Sequence, residues 1–302
     1  MEPNIPEPLR RSIDSQFAYN RFRNIFCGEK GAVCFNRLTR EWLTKRRGEA
    51  VTAVRRCGPE RVARYMGGQL LRCLHEVNQY AVFTKADRKS MVEIYCRLFA
   101  DIASAALDED GIRRRHYARI QALVKRTNAF IWLDNPHNRH MAVGPVCANY
   151  APRLQIDVLG IDLDTIKEPV LDIGCGKEGS LVAFLRGLGY DAYGIDRACG
   201  NGRFLRRTDW MEFDYKDRRW GTVVSHLSFT GHFLHNHRHR LGDYAGYARK
   251  YISILASLKP GGSWYYTPSL PFMEHILPEG LYVDSAPVYK GHKRTIVTRK
   301  PE

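Results

Sequence analysis

Three acidic residues and a set of closely spaced glycines carry the chemistry that can be read first in this 302-residue sequence. In Glu168-Pro169-Val170-Leu171-Asp172-Ile173-Gly174-Cys175-Gly176-Lys177-Glu178-Gly179-Ser180-Leu181, a short apolar β run from Val170 to Ile173 breaks at a glycine-spaced turn. Helical spacing follows at Leu181, Val182, Phe184 and Leu185. Gly174 and Gly176 have no Cβ, so the backbone can take positive φ there and a ligand can approach the main chain closely. Free N–H groups at the start of the next helix then point at that ligand. Strand, tight loop and helix N-terminus together form the first unit of a nucleotide-binding α/β domain. Gly174, Gly176 and Gly179 satisfy G-x-G-x-x-G. Asp172, two places before the first glycine, can face a positively charged amino group. One strand later, Asp196 ends the run Asp191-Ala192-Tyr193-Gly194-Ile195-Asp196, where a carboxylate can hold both hydroxyls of a ribose. Thr208-Asp209-Trp210 adds a carboxylate and an aromatic plane, suited to an adenine amino group and ring.

The order of these motifs carries a resemblance. Asp-x-Gly-x-Gly from Asp172, Gly-Ile-Asp ending at Asp196, Asp209-Trp210, Thr222-Val223-Val224-Ser225-His226 and Leu258-Lys259-Pro260-Gly261-Gly262 follow one another as in the class I S-adenosylmethionine-dependent methyltransferase family. Ser263-Trp264-Tyr265-Tyr266 continues the last motif, and Leu281-Tyr282-Val283 with Arg294-Thr295-Ile296-Val297-Thr298 resembles the closing antiparallel hairpin of that family. The similarity spans about residues 165 to 300. It implies an α/β fold with a Rossmann-like seven-stranded sheet and S-adenosyl-L-methionine as cofactor. Asp172, Gly174, Cys175, Gly176, Asp196, Asp209, Trp210 and Ser225 would then surround the cofactor, Cys175 through small size rather than chemistry. A Rossmann-like domain for another nucleotide is the alternative, because fold does not fix ligand.

The composition, 44% hydrophobic and 26% charged, is that of an ordinary globular chain. No run approaches 18 apolar residues, so no membrane span is expected. Met1-Glu2-Pro3-Asn4-Ile5-Pro6 has no apolar signal core behind it, which makes cytoplasmic localisation the expectation. Eight cysteines, at 27, 34, 57, 73, 96, 147, 175 and 199, form no C-x-x-C pair and read as reduced thiols. The net charge of +15 is uneven: residues 1–135 hold 25 Lys/Arg against 15 Asp/Glu, and the remainder 22 against 17. A basic appended domain is an electrostatic footprint that nucleic acid can use. The basic runs, such as Arg113-Arg114-Arg115, are interleaved with acids, which equally describes solvated helix faces.

From about Pro8 to Asn128 the chain reads as helices. Phe35 to Lys45 and Glu49 to Arg56 have helical spacing, and Pro59 suits a first helical turn. Thr84 is a good N-cap for a helix over Lys85 to Leu107, striped by Met91, Ile94, Tyr95, Leu98 and Ile102. Asp108-Glu109-Asp110-Gly111 breaks it before another amphipathic helix, Ile112 to Thr127. The expected organisation is a helical cap or substrate domain over 1–130, a connecting loop segment over 131–165, and a cofactor-binding α/β domain over 166–302. The connecting segment, Trp132 to His140 and then Cys147-Ala148-Asn149-Tyr150-Ala151-Pro152-Arg153, is rich in Pro, Asn and His, as an ordered loop is. Tyr150 could offer an aromatic face to the sulfonium of the cofactor, and Arg153, as a cofactor-binding residue, a planar fork to its carboxylate; packing between domains is the other reading of Tyr150 and Trp132.

Beyond the fourth strand, Ser225, His226, Ser228, Phe229 and His232 fall at the carboxyl end of a parallel sheet, where ligands bind. Phe229 and Ser228 are the substrate-facing candidates. His226 and His232, with Tyr150, are the catalytic ones, since a histidine near neutral pKa could take the proton that a nucleophile releases on alkylation. Four histidines in eight positions, 232 to 239, read as loop histidines and lack carboxylate or thiolate companions, so no metal is expected. The function expected from these residues is methyl transfer to a small molecule under a helical cap. One alternative is a cyclase or aminobutyrate transferase of the azetidine-2-carboxylate or nicotianamine synthase kind, releasing methylthioadenosine. Others are an RNA methyltransferase using the basic N-terminal domain, and a non-catalytic protein that kept the fold. Ser225-His226-Leu227-Ser228 departs from the Asn/Asp-Pro-Pro-Tyr/Phe motif of amine-methylating DNA enzymes, which puts base N-methylation by that route in doubt. Oligomeric state is not legible.

Overall fold

A computed structural model of the chain describes residues 5–21, 34–104, 106–128, 150–240, 243–289 and 291–301. It divides into two compact units, Met1–Pro145 and Val146–Glu302. The expected loop features over Trp132–His140 and Cys147–Asn149 lie outside the described residues, as do Cys27 and Cys147.

The first unit is helical: α1 (Glu7–Asn20), α2 (Arg37–Thr44), α3 (Arg47–Cys57), α4 (Pro59–Val77), α5 (Lys85–Ala103) and α6 (Glu109–Thr127). Local chemistry sets the ends. Thr84 caps α5 in a reciprocal box: its side chain accepts from the Asp87 N–H, and the Asp87 carboxylate accepts from the Thr84 N–H. The acidic break at 108–111 is a helix start rather than a gap. The Asp108 carboxylate accepts the Gly111 N–H at 2.8 Å, so α6 opens at Glu109 instead of Ile112. α5 stops at Ala103, four residues short of the expected Leu107. The Arg47 guanidinium takes up the carbonyls of Asp101, Ile102, Ser104 and Leu107 around that end. A cation there meets both the orphan carbonyls and the negative end of the helix dipole.

The second unit holds α7 (Pro152–Leu159), β1 (Val170–Ile173), α8 (Ser180–Gly187), β2 (Ala192–Asp196), β3 (Leu205–Arg207), β4 (Trp220–His226), α9 (Phe229–His239), α10 (Tyr244–Ala256), β5 (Leu258–Thr267), α11 (Pro271–Glu274), β6 (Leu281–Tyr289) and β7 (His292–Arg299). The seven strands lie in the order β3-β2-β1-β4-β5-β7-β6, with β7 antiparallel to both of its neighbours and the rest parallel. This is the expected Rossmann-like sheet of class I methyltransferases. Side chains alternate across it. Leu171, Val223, Trp264 and Tyr266 pack with Phe233, Tyr251 and Ile254 of α9 and α10, whereas Val170 and Val224 pack with Leu159 of α7 and with Leu181 and Leu185 of α8.

Two local expectations are corrected. Residues 152–159 form a helix, not part of a connecting loop: Pro152 stands at its first position and Gly160 ends it with left-handed φ. The histidine-rich stretch is α9, not a loop. Its buried face (Phe229, Thr230, His232, Phe233, Asn236) has a period near 3.6, which the histidine composition obscured.

Candidate functional site

The carboxyl ends of β1, β2 and β4 bring most of the predicted residues together. Register sets this up: Asp172 stands beside Gly194 of β2 and Val224 of β4, so the glycine loop leaves the sheet between them. Gly174 has φ +80, and a Cβ added there would lie 2.3 Å from the Ser228 Cβ and 3.3 Å from the Trp210 ring. The loop is therefore gripped by β4's continuation on one side and by the Trp210 indole on another. Ile195 O receives both the Gly174 and the Cys175 N–H. Cys175 packs where a Cβ on Gly194 would come within 2.8 Å of its Sγ. Burial pushes its thiol well up, so it stays protonated.

Two carboxylates differ sharply. Asp196 ends β2; its Oδ2 accepts the Gly176 N–H at 3.1 Å and its Oδ1 the Ala198 N–H at 2.7 Å. Asp172 is buried, and among the described residues no hydrogen bond relieves it. Burial first and the nearby Asp196 charge second push its pKa from 3.8 to about 7. A buried carboxylate in that state is stabilised by any cation brought to it. Asp209 is partly spent on its own turn, its Oδ1 accepting the Met211 N–H at 2.9 Å. Trp210 is buried, with His232 edge-on at 4.9 Å and the Arg197 guanidinium 5.9 Å from its ring. Arg197 was not among the expected residues; its position directly after Asp196 was the available signal.

The residues after β4 need correction. Ser225 and Ser228, expected at cofactor and substrate, are buried and bonded to each other at 2.9 Å, and Ser228 Oγ donates to Ile173 O. Together they tie β4 to the carboxyl end of β1. Phe229, expected to touch substrate, has no exposed surface and packs against Tyr247 and Trp264 in the core. His232 is likewise buried against Trp210 rather than presented to a ligand. Between them Leu227 takes φ 54, an uncommon conformation for a branched side chain, with its N–H held by Thr267 O.

His226 closes β4. Burial lowers its pKa to about 4, not the near-neutral value expected, so it is neutral at physiological pH. Its Nδ1 has no hydrogen-bond partner, and the Tyr150 ring meets it edge-on at 5.1 Å. Tyr150 and His226 are thus a contacting pair, though 76 positions apart in sequence. Arg153 is exposed on the first turn of α7, its guanidinium 5.7 Å from the centre of the Phe184 ring. His232, His235, His237 and His239 share α9, and no group of three metal-ligating side chains occurs among the described residues.

Strand order and the glycine loop define a class I methyltransferase fold. No protein-family model matches the chain, and no curated protein sequence matches it. Among solved structures the chain is similar to the N-methyltransferase NodS from Bradyrhizobium japonicum WM9 in complex with S-adenosyl-l-homocysteine, at 17% identity and a TM-score of 0.37, covering 52% of this chain and 92% of that one. A second is the plantazolicin methyltransferase BpumL in complex with SAH, at 13% identity and a TM-score of 0.36, covering 50% and 84%. A third is TrmN from Thermus thermophilus, at 15% identity and a TM-score of 0.35, covering 65% and 69%. The fold assignment rests on the strand order and the glycine loop.

Proposed function

We propose that the chain binds S-adenosyl-L-methionine and methylates a nucleophilic atom of a small molecule. The observation that carries the reading is the convergence, at one sheet edge, of the gripped Gly174 loop, the hydrogen-bonded Asp196 and the unpartnered Asp172 carboxylate. This donor set fits the cofactor. Asp172 would face its ammonium group, Asp196 its ribose hydroxyls, and Trp210 with Asp209 its adenine. The cofactor, when bound, supplies an activated methyl group. The protein's part is then to fix and dry the site. Asp172 becomes a carboxylate when a cation arrives. His226 is neutral and the Tyr150 ring meets it edge-on, a pair that could orient the acceptor beyond the end of β4. A pKa of about 4 makes His226 a weak base, which suits orienting an acceptor better than deprotonating a reluctant one.

A small-molecule acceptor is favoured over RNA by how the basic side chains of the helical unit are used. Arg11, Arg46, Arg64, Arg113, Arg114 and Arg119 each pair with a carboxylate of the same unit. Such pairs leave fewer cations for phosphates. The test is mass spectrometry of purified protein with S-adenosylmethionine, first alone and then with metabolite extracts. A methylated metabolite and S-adenosylhomocysteine are expected. Methylthioadenosine formed without added acceptor would overturn methyl transfer in favour of cyclisation, and methylation of RNA alone would overturn the acceptor class.

A further inference from the structure

The glycine loop leaves β1 through a single peptide unit that is held at both of its polar atoms. The Gly174 N–H donates to Ile195 O of β2 at 2.8 Å, and the Ile173 carbonyl accepts the Ser228 hydroxyl. These holds come from opposite sides, because β2 and β4 are the two neighbours of β1 in the sheet. On the β2 side the loop has further anchors: the Cys175 N–H also reaches Ile195 O, and the Gly176 N–H reaches Asp196 Oδ2. On the β4 side the hold is the Ser228 hydroxyl.

Placing Ser228 there strains the backbone. Leu227 before it takes φ 54, and Ser228 itself has φ −102 and ψ −104, outside both the helical and the extended regions. The turn is secured on Thr267 O, which accepts the Leu227 N–H at 2.8 Å and the Thr230 hydroxyl at 3.0 Å. Strain of this kind persists only where the surroundings over-determine it, and it gathers at sites that need fixed geometry. The order of the protons follows from the bonds. A serine hydroxyl has one proton to give. Ser228 gives its proton to Ile173 O, so Ser225 is the donor in the 2.9 Å contact between the two serines. Both are buried, and in such a chain each bond polarises the next.

We propose that Ser228 is a positioning residue for the cofactor, with Ser225 acting through it: together they fix the Ile173–Gly174 peptide and so the direction in which the loop passes from Asp172 to the ligand. This role rests on the cofactor reading and adds which part of the ligand is controlled. The pinned peptide starts at the residue after Asp172, whose carboxylate would face the ammonium group. Asp209 and Trp210, which would face the adenine, are held by their own turn, through the Met211 N–H on Asp209 Oδ1 and the Tyr215 hydroxyl on Trp210 O. The grip therefore acts on the amino-acid arm of the cofactor more than on its nucleoside.

The experiment is an isothermal titration of the full chain with S-adenosylhomocysteine and with methylthioadenosine, which lacks the amino-acid arm. Ser228→Ala should weaken S-adenosylhomocysteine about tenfold, the size expected when a buried carbonyl loses its donor, and methylthioadenosine less than about twofold. Ser225→Ala should weaken S-adenosylhomocysteine about threefold, and the double variant should be no worse than Ser228→Ala alone, since Ser225 reaches the loop through Ser228. Leu227→Ile removes no polar group, but its β-branched side chain resists positive φ, so it should reproduce the selective loss; Leu227→Gly should keep the wild-type preference. These two variants keep the test decisive if Ser228→Ala does not fold. Equal losses for the two ligands, unchanged S-adenosylhomocysteine affinity in Ser228→Ala, or additive effects in the double variant would overturn the positioning role while leaving the cofactor reading intact. A wild-type protein that binds neither ligand would instead refute the cofactor reading, and the positioning role with it.

Discussion

The two units place their polar groups in opposite ways. In the helical unit, polar side chains work at helix ends and on the outside: Arg47 on the terminal carbonyls of α5, the Thr84–Asp87 box, the Asp108 cap, and ion pairs along exposed faces. Among its few buried polar side chains, Asn36, Asp101 and Asn128 are hydrogen-bonded within the unit. In the α/β unit, buried polar groups gather at the carboxyl edge of the sheet, among them Asp172, Ser225, His226, Ser228 and Thr267. Some of these close on one another. Ser225, Ser228 and the Ile173 carbonyl form a finished set, as do Tyr266, Glu274 and Thr295. Asp172 and the Nδ1 of His226 do not. The contrast separates polar residues that build the edge from those left available at it. Both sets include buried groups, and the state of their hydrogen bonds distinguishes them.

The sharpest way to break this contrast is at Gly174. Gly174→Val should abolish cofactor binding in an isothermal titration and lower the melting temperature, because the loop needs positive φ and Ser228 leaves no room for a side chain. A variant that binds normally would mean that the loop does not form the site. Next comes Asp196→Ala, which removes the carboxylate expected at the ribose and also the acceptor for the Gly176 and Ala198 N–H groups. Cofactor affinity should fall about 10- to 100-fold, the range for a lost charge-assisted hydrogen bond.

A smaller effect follows from Asp172 through pH. Its folded pKa of about 7 lies above the ordinary 3.8. The unfolded chain therefore releases this proton first, and the ligand-free protein should lose stability as pH rises from about 4 to about 7. Cofactor affinity should run the other way, weakening as pH falls through about 7, because the ammonium partner needs the carboxylate. Asp172→Asn should flatten both profiles. An unchanged affinity profile in that variant would remove Asp172 from the site. The smallest change is expected on the other unit: Thr84→Ala should cost about 1 kcal/mol of stability by denaturant titration, with cofactor affinity unaffected.

Much of the α/β unit was legible because its signals are local and repeated. Each strand is a short apolar run, each turn is marked by glycine, and the acids sit next to both. The resemblance in motif order then supplied the seven-stranded sheet. Helix caps were equally readable at Thr84 and Pro59, where one residue makes the start. The misses have a common cause. Ser225, Ser228, Phe229 and His232 stand at the right end of the right strand, and strand position alone marks all of them as ligand-facing. Which way each points depends on what α10, β5 and the glycine loop leave unfilled, and those elements are distant in sequence. The Pro-Asn-His composition around Arg153 read as loop, yet Pro152 opens a helix whose buried face is completed by contacts with α8 and the sheet.

By itself, then, the sequence determined which backbone segments can be strand, helix or glycine turn, and that two aspartates flank a loop able to approach a ligand. Dihedral freedom, side-chain periodicity and capping act over a few residues and are written in the chain. Tertiary structure alone decided that Asp172 is desolvated, that Tyr150 meets His226, and that the two serines consume one another's hydrogen bonds. Desolvation and hydrogen-bond closure belong to groups brought together from many points along the chain, and no stretch of sequence specifies them alone.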